Sequence, residues 1–293
     1  MLSLHTNNAS LSAQNSIAKT QSQLSTSMTR LSTGYRINSA MDDAAGLQIA
    51  TRLKAQTSGM TVAMSNTQNS TSMLQTAEGA FGEVTNMLVR MKDLATQAAD
   101  ASSNGQDKTA MQAEYDALGL ELYNVMTNTT FGGQTLLGDG TTGKGTLSDA
   151  MTFQIGASST EKMSINVSAD MGTLNTKLVA LSANNFKATS AGVGNELTAA
   201  GTANTTIDKL AAAIDNVGVV RSALGAAANR LDHINSNLSN IATNTKAATG
   251  RIMDVDFATE SSNMTSSQML LQAGTAMLKQ SNSMSSMVMS LLQ

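Results

Sequence analysis

The sequence predicts a mainly α fold: a long antiparallel, coiled-coil-like helical bundle with a small β-hairpin region and with its N- and C-terminal helices paired. Three observations carry this expectation. The 293 residues contain no Pro, the residue that most sharply interrupts a helix interior, so long continuous helices are permitted. Apolar residues recur at alternating steps of three and four over several long stretches, the spacing of a heptad seam. Aromatic residues make up only 3% of the chain, with no Trp, while Met occurs 20 times. Ala, Met and aliphatic side chains must therefore fill the core, which suits closely packed helices.

Five segments follow in order. Residues 1–44 open with a thin stripe of Leu4, Leu11, Ile17, Leu24, Met28 and Leu31, and Gly34 marks its end. Residues 45–169 hold the strongest pattern: Leu74, Ala77, Phe81, Val84, Leu88, Met91, Ala95 and Ala98 form a sustained seam, preceded by the weaker Met60, Met64, Thr67 and Thr71. A helix over 45–100 would run about 80 Å, at roughly 1.5 Å per residue. Ser102, Ser103, Asn104 and Gly105 end it, and a second seam follows in Met111, Tyr115, Leu118, Leu122 and Val125. Clustered glycines between 132 and 145 then mark turns. Apolar and polar residues alternate over 152–155 and 163–167, which predicts a β-hairpin.

Residues 170–204 read as small, polar and unpatterned, a surface insertion. Helix returns over 205–249 with Ile207, Leu210, Ile214, Val217, Leu224, Ala228, Leu231 and Leu238, the seam interrupted by Arg221 and Asn235. The last segment, 250–293, carries Leu270, Ala273, Met277, Met284, Met287 and Leu291. Both terminal stripes are too thin to stabilise a lone helix in water, because nucleation is costly and tertiary burial supplies most helical stability.

Little in the chain points to catalysis. There is no Cys, which excludes disulfides and thiolate chemistry. His5 and His233 lie far apart, and no HExxH or calcium-loop spacing accompanies them. Gly138-Asp139-Gly140-Thr141-Thr142-Gly143-Lys144-Gly145 approaches a phosphate-loop pattern, but Gly145 stands where Ser or Thr would hold magnesium. Asp42 and Asp43 are adjacent, so they do not face each other on a helix; they suit capping of a helix starting near Ala44 and pairing with Arg36 or Arg52. Asp170, Lys177, Lys187 and Glu196 in the presumed insertion form no constellation. No Gly-x-Ser-x-Gly elbow occurs. The net charge of −3, without a basic block, argues against nucleic acid or an acidic membrane surface as partner. No basic n-region with an apolar h-region opens the chain and no long apolar run follows, so neither a cleaved leader nor a membrane span is expected. No enzyme activity, cofactor or metal is expected.

The segment Leu31-Ser32-Thr33-Gly34-Tyr35-Arg36-Ile37-Asn38-Ser39-Ala40-Met41-Asp42-Asp43-Ala44-Ala45-Gly46-Leu47-Gln48-Ile49-Ala50 closely resembles the N-terminal motif of bacterial flagellins. Val220-Arg221-Ser222-Ala223-Leu224-Gly225-Ala226 and Asn229-Arg230-Leu231 resemble the family's C-terminal core helix. Arg251 to Glu260 resembles its bend before the tail, and Gln272-Ala273-Gly274-Thr275 with Ser290-Leu291-Leu292 resembles its end. The resemblance covers roughly 1–170 and 205–293. Two departures stand out: Ser283-Met284-Ser285-Ser286 replaces a stretch where the family often has Pro, and the centre is short. The opening residues resemble the lateral, swarming type more than the polar type.

The resemblance implies a structural subunit that polymerises into the extracellular flagellar filament for motility. It also implies export without a cleaved signal by the flagellar type III apparatus, aided by an export chaperone, and assembly at the distal tip among cap and hook-associated junction proteins. A hook–filament junction protein is the alternative. In the family a host Toll-like receptor contacts the core helices, and the matching positions here are Arg90, Leu94 and Glu114. Expected assembly contacts are Leu24, Leu31, Leu270, Met277, Met284, Met287 and Leu291, with the chain's ends ordering only on assembly. On this reading, replacing 178–200 by a Gly/Ser linker leaves filament formation intact, which motility and electron microscopy would check.

Overall fold

The computed structural model describes residues 7–139, 144–181, 186–187 and 192–291, with side chains described as far as Met284. The elements in order are α1 (Asn8–Thr33), α2 (Ala44–Ala99), α3 (Gly105–Asn128), β1 (Thr130–Phe131), β2 (Gln134–Thr135), a short 3-10 turn (Thr146–Ser148), β3 (Met151–Gln154), β4 (Lys162–Ile165), α4 (Ser168–Leu181), α5 (Thr202–Met253) and α6 (Phe257–Leu291). The chain divides into two compact units, one of residues 1–57 with 243–293 and one of residues 58–242. Positions 140–143 of the phosphate-loop-like stretch, and His5, lie outside the described residues.

In the 58–242 unit the core is built on the seam expected for α2. Leu74, Ala77, Phe81, Val84, Leu88, Met91, Ala95 and Ala98 are all buried, and Met60, Ala63, Thr67 and Ser70 continue the same steps toward the N-terminus. The partner face is on α5. Its buried line is Ala203, Thr206, Leu210, Ala213, Val217, Val220, Leu224, Ala227, Leu231 and Leu238. The pairing is antiparallel: Glu78 meets Arg221 at 2.9 Å, whereas Met60 and Ala63 pack with Leu238. α5 contains an 18-residue window of mean hydropathy 1.2, and its seam residues are spent on this packing. The seam corrects the expectation in one respect. Val220 and Ala227 take the central positions, so Arg221 and Ala228 sit at its edge and Arg221 interrupts nothing.

α3 returns beside α2 after the short turn over 100–104. Asn104 caps it, accepting from the Asp107 backbone N–H while the Asp107 carboxylate accepts from that of Asn104. Tyr115 is buried, and its hydroxyl donates to the Leu181 carbonyl at 3.0 Å. Burial, aided by the charges of Glu196 and Asp116, pushes its phenol far above the ordinary value. The expected hairpin is present, with β3 and β4 antiparallel and Met151 opposite Ile165. A second, two-residue hairpin pairs β1 with β2 through Gly132 and Gly133, both at positive φ, the backbone a type I′ turn requires.

The surface-insertion reading of 170–204 is corrected. α4 buries Met171, Leu174, Leu178 and Leu181 in the main core, joined by Phe186 and Leu197. The Phe186 ring stands edge-on to Tyr123, 5.6 Å between centroids. The turn that follows is pinned by polar contacts. Gln112 Nε2 donates to Asp116 Oδ1 (2.8 Å) and Glu196 Oε2 (2.9 Å), Gln112 Oε1 accepts from Leu197 N (2.7 Å), and Asp116 Oδ2 accepts from Gly194 N (3.0 Å). A linker replacing 178–200 therefore removes the core side chains Leu178, Leu181, Phe186 and Leu197. Leu174→Ala should cost about 2–5 kcal/mol, the usual range for a buried Leu, read as a lower urea midpoint of the monomer.

Candidate assembly interface

The other unit explains the long motif between α1 and α2. Gly34 ends α1 at φ 76°, in the left-handed region that glycine enters without steric cost, and its N–H donates to the Arg30 carbonyl. The chain then pairs with the bend after α5: Val255 N donates to Gly34 O (3.0 Å) and Arg36 N to Met253 O (2.6 Å). The Arg36 guanidinium also donates to the Ile252 carbonyl at 2.9 Å, placing a cation at the C-terminus of α5, where the helix dipole favours it.

Asp42 and Asp43 take separate capping roles. Asp43 accepts from Gly46 N at 2.8 Å, the N-cap of α2. Asp42 accepts from the backbone N–H groups of Ser39 and Asn38, which hold its carboxyl below the usual carboxylate value. Its nearest recorded cation is Arg30, at 4.0 Å, rather than Arg36 or Arg52. Asp256 starts α6 the same way, lowered chiefly by the Thr259 hydroxyl and then by the Ala258 N–H.

α1 and α6 pair antiparallel. Asn7 donates to the Ser281 carbonyl at 3.2 Å, Ser10 to Asn282 at 3.2 Å, and Arg30 lies 3.7 Å from Glu260. The seam between them steps by three and four on both sides. On α1 it is Ser10, Ala13, Ile17, Thr20, Leu24, Ser27 and Leu31; on α6 it is Glu260, Met264, Ser267, Leu271, Gly274, Leu278 and Ser281. A Cβ added at Gly274 would stand 2.9 Å from Ile17 Cγ1, so this glycine allows the helices to approach closely. The seam is thus narrow, half polar, and stitched by hydrogen bonds and one charge pair, and charge pairs of this kind fix register more than they add stability.

The apolar stripe expected for α6 lies elsewhere. Leu270 (60% exposed), Met277 (66%) and Met284 (55%), with Met269 (59%), face outward. Leu270, Met277 and Met284 sit one residue, roughly 100°, around the helix from the seam, and Met269, one residue further round, faces away from it. On α1, Leu11 and Met28 are likewise exposed, each one residue past the seam. Leu24 and Leu31, expected as contacts between subunits, are instead half-buried on the seam against α6. Met287 and Leu291 continue the outward spacing, but their side chains lie outside the described set.

The three positions matched to receptor contact separate in the structure. Arg90 and Glu114 come together: Arg90 Nε donates to Glu114 Oε1 at 2.7 Å with Nη2 at 2.6 Å, and both are about half-exposed. Leu94 is 2% exposed and belongs to the core, so it offers no contact surface. Among the described residues no three His, Cys, Asp or Glu gather as a metal site. His233 is exposed, as is Lys144 beside the phosphate-loop-like stretch.

These features describe a helical subunit with a folded core and a terminal helix pair that leaves a second apolar face uncovered. The bacterial flagellin N-terminal helical region matches residues 4–142, and the bacterial flagellin C-terminal helical region matches residues 207–292. The chain belongs to the bacterial flagellins. It is similar to Flagellin A of Vibrio cholerae (33% identical, all of both chains covered) and to Flagellin of Halalkalibacterium halodurans (36%, covering 91% of this chain and 90% of that one). The first alignment spans 384 positions against the 293 residues here, so that relative carries residues this chain lacks. A solved Vibrio parahaemolyticus structure assigned to a flagellar hook-associated protein shares the fold at 18% identity, covering 73% of this chain and all of that one, with a TM-score of 0.57. As a flagellin, the protein is a structural subunit of the extracellular flagellar filament and polymerises with itself, and nothing in these likenesses favours the hook–filament junction alternative.

The capping carboxylates generate a pH prediction. Asp42 and Asp256 titrate below their ordinary 3.8 when folded. Their stabilisation is therefore present above 3.8 and lost as pH falls through the folded values below it. The drop in the thermal stability of assembled filament, in which the terminal helices are ordered, should be smaller between pH 6 and pH 3 in Asp42→Ala with Asp256→Ala than in wild type. Equal drops would remove these caps from the account.

Proposed function

We propose that the outward stripe of α6, with Leu11 and Met28 of α1, is the surface by which one subunit meets the next in the filament, and that the chain's role is structural, without catalysis. The observation that carries this reading is the set of four large apolar side chains, Met269, Leu270, Met277 and Met284, each more than half exposed on one helix of a self-polymerising protein. Full burial of such a side chain contributes about 1.5–3 kcal/mol. Ordering the terminal segments costs about 1–2 kcal/mol per residue in backbone entropy, and the half-polar α1–α6 seam offsets little of it. Neighbouring subunits supply the rest, so dilute monomer has disordered ends. Proteolysis of monomer should trim both ends and stop near Ala45 and Gly250.

Family membership supports the remaining partners: an export chaperone, the flagellar type III apparatus, the filament cap and the hook-associated junction proteins. The lateral, swarming subtype is proposed on the opening residues, of which 1–6 lie outside the described set. Leu270→Asp with Met277→Asp, and separately Met284→Asp with Leu291→Asp, should abolish sedimentable filaments while the melting of the 58–242 core is unchanged. Normal filament yield from either double variant would show that another face carries assembly.

A host Toll-like receptor is a second proposed partner, through Arg90 and Glu114. Their half-exposed ion pair presents a planar guanidinium that Lys cannot reproduce. Arg90→Ala should strongly reduce receptor signalling by monomer, and equal signalling by wild type and variant counts against the proposal. Leu94→Ala is not a clean test, because it opens the core.

A further inference from the structure

We propose that Met269, Met277 and Met284 are modification sites at which a peroxide-class oxidant converts the monomer into an assembly-incompetent form. The inference rests on the assembly role proposed above for this face of α6.

Two groups of methionines contrast most sharply in exposure. Met60, Met91, Met126, Met151, Met163 and Met171 are buried in the core, where an oxidant reaches them only through unfolding. Met269, Met277 and Met284 present more than half their surface on the outward face of α6, and Met28 presents half of its own on α1. The outward face is thus rich in thioethers, the apolar side chains most open to two-electron oxidation. In the reaction the thioether sulfur attacks one peroxide oxygen and the O–O bond breaks. The second oxygen leaves with its own proton, takes the proton of the oxygen now bound to sulfur, directly or through solvent, and departs as water. The sulfur loses two electrons to become a sulfoxide, and hydrogen peroxide gains them.

The product keeps the side chain's length but replaces an apolar tip by a strong hydrogen-bond acceptor. In the free monomer these ends are solvated and unpacked, so the change costs little and the 58–242 core keeps its fold. Against a neighbour's apolar stripe the sulfoxide oxygen finds no donor and its hydration is lost, which penalises burial. The same thioethers are covered once a filament has formed, so the sensitivity belongs to the subunit before assembly. Met41 provides an internal comparison: it is 97% exposed, but on the turn between α1 and α2 rather than on the stripe.

The test treats monomer with hydrogen peroxide, maps sulfoxides by peptide mass spectrometry, and seeds polymerisation with filament fragments. Expected first are oxidation of Met41, Met269, Met277 and Met284 ahead of the buried set, and a fall in sedimentable filament of at least about tenfold, the order expected from one unpaired buried acceptor per subunit. Met269→Leu with Met277→Leu and Met284→Leu should polymerise before and after peroxide, whereas Met41→Leu should remain sensitive. Treating oxidised wild type with methionine sulfoxide reductases should restore assembly, a readout that holds even if the triple Leu variant polymerises poorly. Normal polymerisation of oxidised wild type, or equal inactivation of a competent triple variant, overturns the proposal. Failure of the underlying reading is distinguishable: Leu270→Asp with Met277→Asp would then form filaments, whereas if only the oxidation proposal fails that variant stays monomeric while oxidised wild type assembles.

Discussion

A helix packed against one partner buries one stripe of its circumference, and the α1–α6 pair is built within that limit. α6 carries two apolar stripes about 100° apart. The one containing Met264, Leu271 and Leu278 is taken by α1, and the one containing Leu270, Met277 and Met284 is left over. No rearrangement of two helices can cover both. Covering the second takes further helices, and on the assembly reading proposed above those belong to other copies of this chain. The inner stripe is correspondingly weak, with Ser10, Ser27, Ser267 and Gly274 where a self-sufficient coiled coil would place Leu.

The two units divide the work. In residues 58–242 the buried set includes Phe81, Leu88, Tyr115, Leu122, Leu174, Val217 and Leu224, close-packed side chains able to hold a monomeric fold. In the terminal unit the large buried apolar residues are few, chiefly Ile37 and Val255. What replaces them at the turn is backbone hydrogen bonding: Gly34 with Val255, Arg36 with Met253 and Ile252, Asp42 with Asn38 and Ser39. Such contacts specify geometry well and contribute modest net stability. A joint that is accurate but weak fits the proposed assembly, in which neighbours complete the burial of these helices.

Much of this was legible in the residues. The α2 seam from Leu74 to Ala98 is sequential and apolar, so its face followed from spacing alone, as did the β3–β4 hairpin from its alternation. α4 was missed although Met171, Leu174, Leu178 and Leu181 keep helical spacing, because four turns set among small polar residues give a weak periodic signal. On α5 the expected Leu210, Val217, Leu224, Leu231 and Leu238 are buried, while on α6 the named stripe lies beside the one that α1 covers. Ile207 and Ile214 sit beside the buried line, and Leu270 and Met277 sit beside Leu271 and Leu278. Where two apolar residues are adjacent, periodicity names both and burial selects one.

The sequence by itself determined the helical architecture, the absence of disulfide chemistry and the family, because these depend on composition, period and linear motifs. Tertiary structure decided which stripe of each terminal helix turns inward, that Leu94 is core while Arg90 and Glu114 meet at the surface, and that Met171, Leu174, Leu178 and Leu197 join the core. The physical reason is the same in each case. A helical residue's direction is set by rotation about the axis in steps of roughly 100°. Which direction counts as inside depends on where the partner helix lies, and that is a property of the packed chain.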